Sequence, residues 1–112
     1  MFGTGSDFKF YHDGTNSYVD NVTGGVFIRT NNTENSIVAL ANDGVTLYYD
    51  ASAKLATSSA GGTLTGTWNV TTALTPDASG GADLGTTALE WDDIFLADDS
   101  VCLLYTSPSP RD

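Results

Sequence analysis

The sequence predicts an all-β chain, an elongated meander of short hairpins with at most one short helical turn near residues 87–92. Three observations predict it. Apolar and aromatic residues recur at a period of two, in runs of about five to six residues, the usual strand length. Each run ends at a cluster of Gly, Asn, Asp or Ser, the residues that turn a chain. Gly, Ser, Thr and Asn supply 45 of the 112 residues, whereas Leu, Ile, Val and Phe together supply 25. That proportion is too low for a thick core.

The elements follow in order. Across residues 7–12, Phe8 and Phe10 alternate with Lys9, which sets one face inward. The run stops at Asp13-Gly14-Thr15-Asn16, a turn sequence, and residues 17–22 resume the extended pattern. Val26-Phe27-Ile28-Arg29-Thr30 is β-branched and aromatic, and the polar turn Asn31-Asn32-Thr33-Glu34-Asn35 follows it. Residues 36–41 form the next strand, before Asn42-Asp43-Gly44 with the Asp-Gly pair of tight hairpins. Val45, Leu47 and Tyr49 share one face of residues 45–49. Residues 54–58, a break at Ser59-Ala60-Gly61-Gly62, and an extended run over 63–70 complete the meander. Beyond Pro76 and the Gly-rich stretch after it, Thr87 and Glu90 have the spacing of a capping box, so one helical turn is expected there. Ile94-Phe95-Leu96 reads as a strand. The expected organisation is a hairpin region at 1–66, a second β module at 67–101, and a separate tail at 102–112.

The tail differs from everything before it. It holds the only Cys, two of the three Pro, and Arg111, the only basic residue after Lys54. Cys102-Leu103-Leu104-Tyr105-Thr106-Ser107-Pro108-Ser109-Pro110-Arg111-Asp112 resembles the in-frame translation of a transposase-type sequencing adapter. The segment is therefore set aside from fold reasoning, as disordered, and the native chain is expected to be cut near Val101. Without Cys102 no cysteine remains, so a disulfide framework and a thiolate metal site are not expected.

Charge narrows the function classes. Four basic residues against fourteen acidic ones give a net charge of -10. No basic patch is available for a phosphate backbone, so nucleic-acid binding is not expected. No apolar run approaches the roughly 20 residues of a membrane-spanning helix, and the first residues have neither the basic nor the apolar region of a signal peptide. Scattered single apolar residues and uncovered strand edges leave a monomer short of core. Symmetric association of identical chains remedies both, without fixing the copy number.

His12, beside Asp13 and near Asp7 and Asp20, has no partner at metal-ligand spacing and no nucleophile, so a structural role at a turn is expected. Asp77, Asp83, Glu90, Asp92, Asp93, Asp98 and Asp99 run without an intervening cation. Glycosidase chemistry and calcium binding are alternatives for such a set, but the order of a calcium loop is missing, and a solvated acidic surface is the expectation. The triplets starting at Asn21, Asn31 and Asn69 match the glycosylation sequon as a by-product of composition. Tyr11, Tyr18, Tyr48, Tyr49, Trp68 and Trp91 would stack on sugars if exposed together; core or subunit-interface roles are the commoner use of aromatics at strand spacing. No catalytic, cofactor-binding or metal-ligating residue is assigned, and no cofactor is expected.

Three stretches resemble one family. GTGSDFKFYHDGTNSYVDN, residues 3–21, resembles the D-x-x-x-YHDG-x-NSY repeat of fibre-like structural proteins in tailed bacteriophages, especially marine ones. GVTLYYDASAKLATSSAG at 44–61, followed by TLTGTWNV, is similar to the continuation found in the same proteins. LTPDASGGADLGTTALEWDDIFLAD at 74–98 resembles their recurrent P…DLG…W element, in the same order along the chain. Family members usually flank that Trp with Arg or Lys, whereas Trp91 stands among Glu90, Asp92 and Asp93. The resemblance implies a fragment of a longer, intertwined homotrimeric tail fibre or virion appendage. Its role would be a non-enzymatic shaft supporting host-receptor recognition, with other virion tail proteins as partners; host surface glycan is a weaker candidate partner that rests on the aromatics alone. A cell-surface adhesin or carbohydrate-binding β module is the alternative, and a tailspike depolymerase fragment a more distant one.

Overall fold

The computed structural model describes residues 3–102. They are all-β, with seven strands and no helix among them. The strands are β1 (Phe8–His12), β2 (Ser17–Asn21), β3 (Val26–Thr30), β4 (Glu34–Ala39), β5 (Val45–Tyr49), β6 (Ser52–Ser58) and β7 (Gly61–Leu64). Every pairing is antiparallel between sequence neighbours. β1 and β2 form a two-stranded hairpin, and β3 to β7 a five-stranded meander. The chain divides into two units between Thr71 and Thr72, and all seven strands belong to the first.

Turn chemistry explains why these strands reverse where they do. The Asp13 carboxylate accepts the backbone N–H groups of Thr15 and Asn16, closing the first hairpin. Asn31 and Asn32 both adopt positive φ between β3 and β4, a conformation Asn tolerates better than most residues. Asp50 and Ala51 do the same in the two-residue loop that Tyr49 and Ser52 close, as a hairpin matching the strand twist requires. At Asn42-Asp43-Gly44 the positive φ falls on Asn42. Gly44 serves a different purpose: a Cβ there would lie 2.4 Å from the Thr57 carbonyl oxygen of β6.

Several boundaries differ from expectation. Gly61 and Gly62 enter β7 rather than lengthening the break, because Ser58 and Gly61 close a two-residue loop. β7 ends at Leu64, where residues 63–70 were expected to run on extended. Beyond it, the Thr65 N–H still donates to the Lys54 carbonyl, and then the pairing stops. The remaining discrepancies lie in the second unit, described by itself. The expected helical turn at 87–92 is absent. The Thr86 side-chain oxygen, not Thr87, accepts the N–H groups of Ala88 and Leu89, and Thr86 and Leu89 exchange backbone hydrogen bonds. That closes a tight turn in place of a helix start. Ile94-Phe95-Leu96 is not a strand, since no partner strand accompanies it among the described residues, and Phe95 is 91% exposed. The adapter-like tail, beyond Cys102, lies outside the described residues.

The core is thin. Val38 in β4, 6% exposed, is the buried residue among those described. Contacts within the first unit run mainly between consecutive strands, with no second layer of strands or helices on the five-stranded sheet among the described residues. Register matters more than burial here. Residues directly opposite across an antiparallel pair share a face. Ile28, Ile37, Leu47, Leu55 and Leu64 are opposite one another in succession, one apolar row across all five strands. Val26, Ala39 and Val45 form a second row on that same face. The other face carries Phe27, Val38, Thr46, Ala56 and Thr63, a mixed row, with the Arg29 guanidinium 5.0 Å from the Phe27 ring centre.

Candidate functional site

Two aromatic clusters emerge in the first unit, and each is built by register. In the β1–β2 hairpin, Tyr11 faces Tyr18 directly across the strands. Their rings stack at 4.9 Å between centres and 16° between planes. Each phenol is pinned by a carboxylate: the Tyr11 hydroxyl donates to Asp20 at 3.1 Å, and that of Tyr18 to Asp13 at 2.9 Å. The Asp20 carboxylate, by accepting that bond, pushes the Tyr11 phenol above its usual range. Asp13 moves the other way. The Asn16 and Thr15 amides, and then the Tyr18 hydroxyl, hold its carboxyl below the usual carboxylate value. Phe8 and Phe10, on the opposite face of β1, meet edge to face at 5.1 Å.

The second cluster gathers residues from three segments. Tyr49 at the end of β5, Lys54 of β6, and Thr65, Gly66, Thr67 and Trp68 beyond β7 line an open depression of about 340 Å³. The bond between Thr65 and Lys54 holds the segment after β7 against β6. The Trp68 indole N–H donates to the Thr65 carbonyl at 3.0 Å, which fixes the ring at the rim. Exposed aromatic surface, an ammonium group and two threonine hydroxyls meet there. Tyr49 and Trp68 are far apart in sequence, and only the β5–β6–β7 register and the Thr65–Lys54 bond beyond it join them.

The other candidates fall as follows. The His12 Nδ1 accepts the Gly14 N–H at 3.0 Å, inside the first hairpin turn. Among the described residues, no group of three or more His, Cys, Asp or Glu side chains is placed to hold a metal ion. Tyr48 is half-buried. Asn21 donates through its side chain to the Thr23 and Gly24 carbonyls. In the second unit, Asp83 and Glu90 line a depression of about 440 Å³ with Leu84, Gly85, Thr86, Thr87 and Trp91. The DLG…W spacing acquires a physical reason there. A Cβ on Gly85 would sit 3.0 Å from the Leu89 carbonyl oxygen and 3.1 Å from the Trp91 ring, and Gly85 has positive φ. No helix of the described residues is long and apolar enough to cross a membrane, which says nothing of β-barrels.

No family model, no curated protein and no solved structure matches the chain. Fold and surface together define an all-β module of antiparallel hairpin and meander strands. Its form is consistent with a fibrous or repeat structural module.

Proposed function

We propose that this chain is a non-enzymatic structural segment of a tailed-phage fibre or virion appendage, assembled from three identical copies. One observation carries the reading: a five-stranded sheet with a single buried residue, Val38, among those described. Such a sheet lacks the apolar burial that offsets the entropy of ordering about 40 residues, and association would supply it. The three phage-like stretches, in family order over residues 3–98, support the choice of a fibre over other repeat proteins. In this reading the chain acts mechanically, as a stiff spacer carrying a receptor-binding tip away from the particle. Fusion of the full chain to a generic trimerising segment tests it. The fusion gains β-sheet circular dichroism and resistance to heat that the unfused chain lacks; a fusion no more ordered than the unfused chain rejects the proposal.

A second reading, a carbohydrate-binding β module, is favoured by the Tyr49–Lys54–Trp68 depression. A sugar ring would lay its C–H face on the indole and direct hydroxyls to Lys54, Thr65 and Thr67. Neutral sugars suit an acidic chain better than uronates do. Titration with neutral oligosaccharides then shifts tryptophan fluorescence saturably, and the shift is lost in Trp68→Ala but kept in Trp91→Ala. The absence of any saturable response at millimolar sugar removes this reading.

A further inference from the structure

We propose that Tyr11 and Tyr18 form a site for oxidative coupling to dityrosine, a covalent staple across the first hairpin that a peroxide installs through a one-electron mediator. The inference is independent of assembly, since both residues belong to one hairpin of one chain. Position is the first support. Register sets the two residues directly opposite, and their rings stack at 4.9 Å between centres with 16° between planes. Coupling joins an ortho carbon of one ring to that of the other, and rings already in contact need little further ordering to reach it. Tyr48 and Tyr49 lack this arrangement: they are consecutive in β5, so strand alternation sends them to opposite faces. Access is met as well, with Tyr11 44% exposed and Tyr18 half-buried.

Proton transfer is the second support. Removing an electron from a phenol makes its hydroxyl strongly acidic, so oxidation is favoured where a base already holds that proton. Each hydroxyl donates to its own carboxylate, Tyr11 to Asp20 at 3.1 Å and Tyr18 to Asp13 at 2.9 Å, within the reach of a general base. Asp20 keeps the Tyr11 phenol protonated beyond its usual range, so the electron leaves together with a proton handed to that carboxylate. The Asp13 carboxyl, held below its usual value, stays ionised and ready to accept from Tyr18. In the balanced step, each phenol gives one electron to the mediator and one proton to its carboxylate. The two phenoxyl radicals then bond ortho carbon to ortho carbon, and the hydrogens on those carbons move to the phenol oxygens as the rings regain aromaticity. The peroxide O–O bond breaks, and the two electrons and two protons convert it to two waters. The product closes a ring over residues 11–18, in a two-stranded sheet of a size that is marginal by itself. Cys102 is the only cysteine of the 112 residues, so no disulfide within them can do the same.

A haem peroxidase with hydrogen peroxide, applied to the dilute full chain, tests the assignment. Tryptic cleavage at Lys9 and Arg29 releases residues 10–29, which hold both tyrosines. This fragment is expected to be lighter by two hydrogen atoms and to show dityrosine fluorescence, and its halves stay joined after a further cut at Asp13. Tyr18→Phe keeps a ring in the stack but removes the phenol, and the link is lost; Tyr48→Phe leaves it unchanged. Asp20→Asn keeps a hydrogen-bond acceptor but not a base, and slows coupling by about tenfold, less than a buried general base contributes because the pair lies near solvent. An unlinked 10–29 fragment once the peroxide is consumed overturns the proposal. So does dityrosine formed between chains through Tyr49, which at 74% exposure is the tyrosine that access alone would select. Coupling of Asp20→Asn at the unsubstituted rate would overturn the carboxylate's part in it.

Discussion

Ala51 is where a single residue most visibly works against the fold. The register that closes Tyr49 on Ser52 leaves two residues for the β5–β6 loop, and both take positive φ. Asp50 tolerates this through its short polar side chain; Ala51, at φ 59°, has no such compensation. Ala51→Gly therefore stabilises the sheet by about 0.5–1 kcal/mol, the relief of strain outweighing the added freedom of the unfolded chain. A thermal melt followed by circular dichroism checks it, and a lower midpoint contradicts the account. Asp13 supplies a pH dependence. Its folded pKa lies below the ordinary 3.8, so the first hairpin's loop is supported above that value and loses support as pH falls through the depressed one. The amide resonances of Thr15 and Asn16 should titrate together below pH 3.8, and Asp13→Asn should abolish that transition. Titration at or above 3.8 would show that the carboxylate does not hold the turn.

Individual elements were legible to the extent that pairing is local. Val26–Thr30 and Val45–Tyr49 match the period-two runs residue for residue; the other strands differ by one or two residues at an end, except β7, which stops six residues short of Val70. Each pairs with a sequence neighbour, and except at Asp50-Ala51 the turn falls at residues of the expected composition, so alternation and turn residues carried most of the reading. The same logic failed at Ile94-Phe95-Leu96, whose composition is strand-like but which has no neighbour to pair with among the described residues. It failed at Thr87 too, because Thr86 one position earlier competes for the same free amides. Sequence alone could name the aromatics of the candidate sites but not group them. Tyr11 and Tyr18 meet through a hairpin register, and Tyr49 and Trp68 through a meander and the Lys54–Thr65 bond beyond it. The unbroken apolar row was likewise invisible, since a one-residue slip in any of four pairings would move part of it to the other face.

At the scale of the whole molecule, burial among the described residues is thin, with Val38 the buried one, and the proposed association of copies would supply the stability that a single sheet lacks. In the proposed assembly a net charge of -10 would discourage sideways clustering of finished fibres. The measurement that tests this most directly is sedimentation equilibrium of the full chain, with and without a trimerising fusion. The account predicts a β-rich species at three times the 11.7 kDa chain mass when fused, allowing for the fused segment, and a poorly ordered chain when dilute and unfused. A well-folded, heat-stable monomer of 11.7 kDa without the fusion would contradict it.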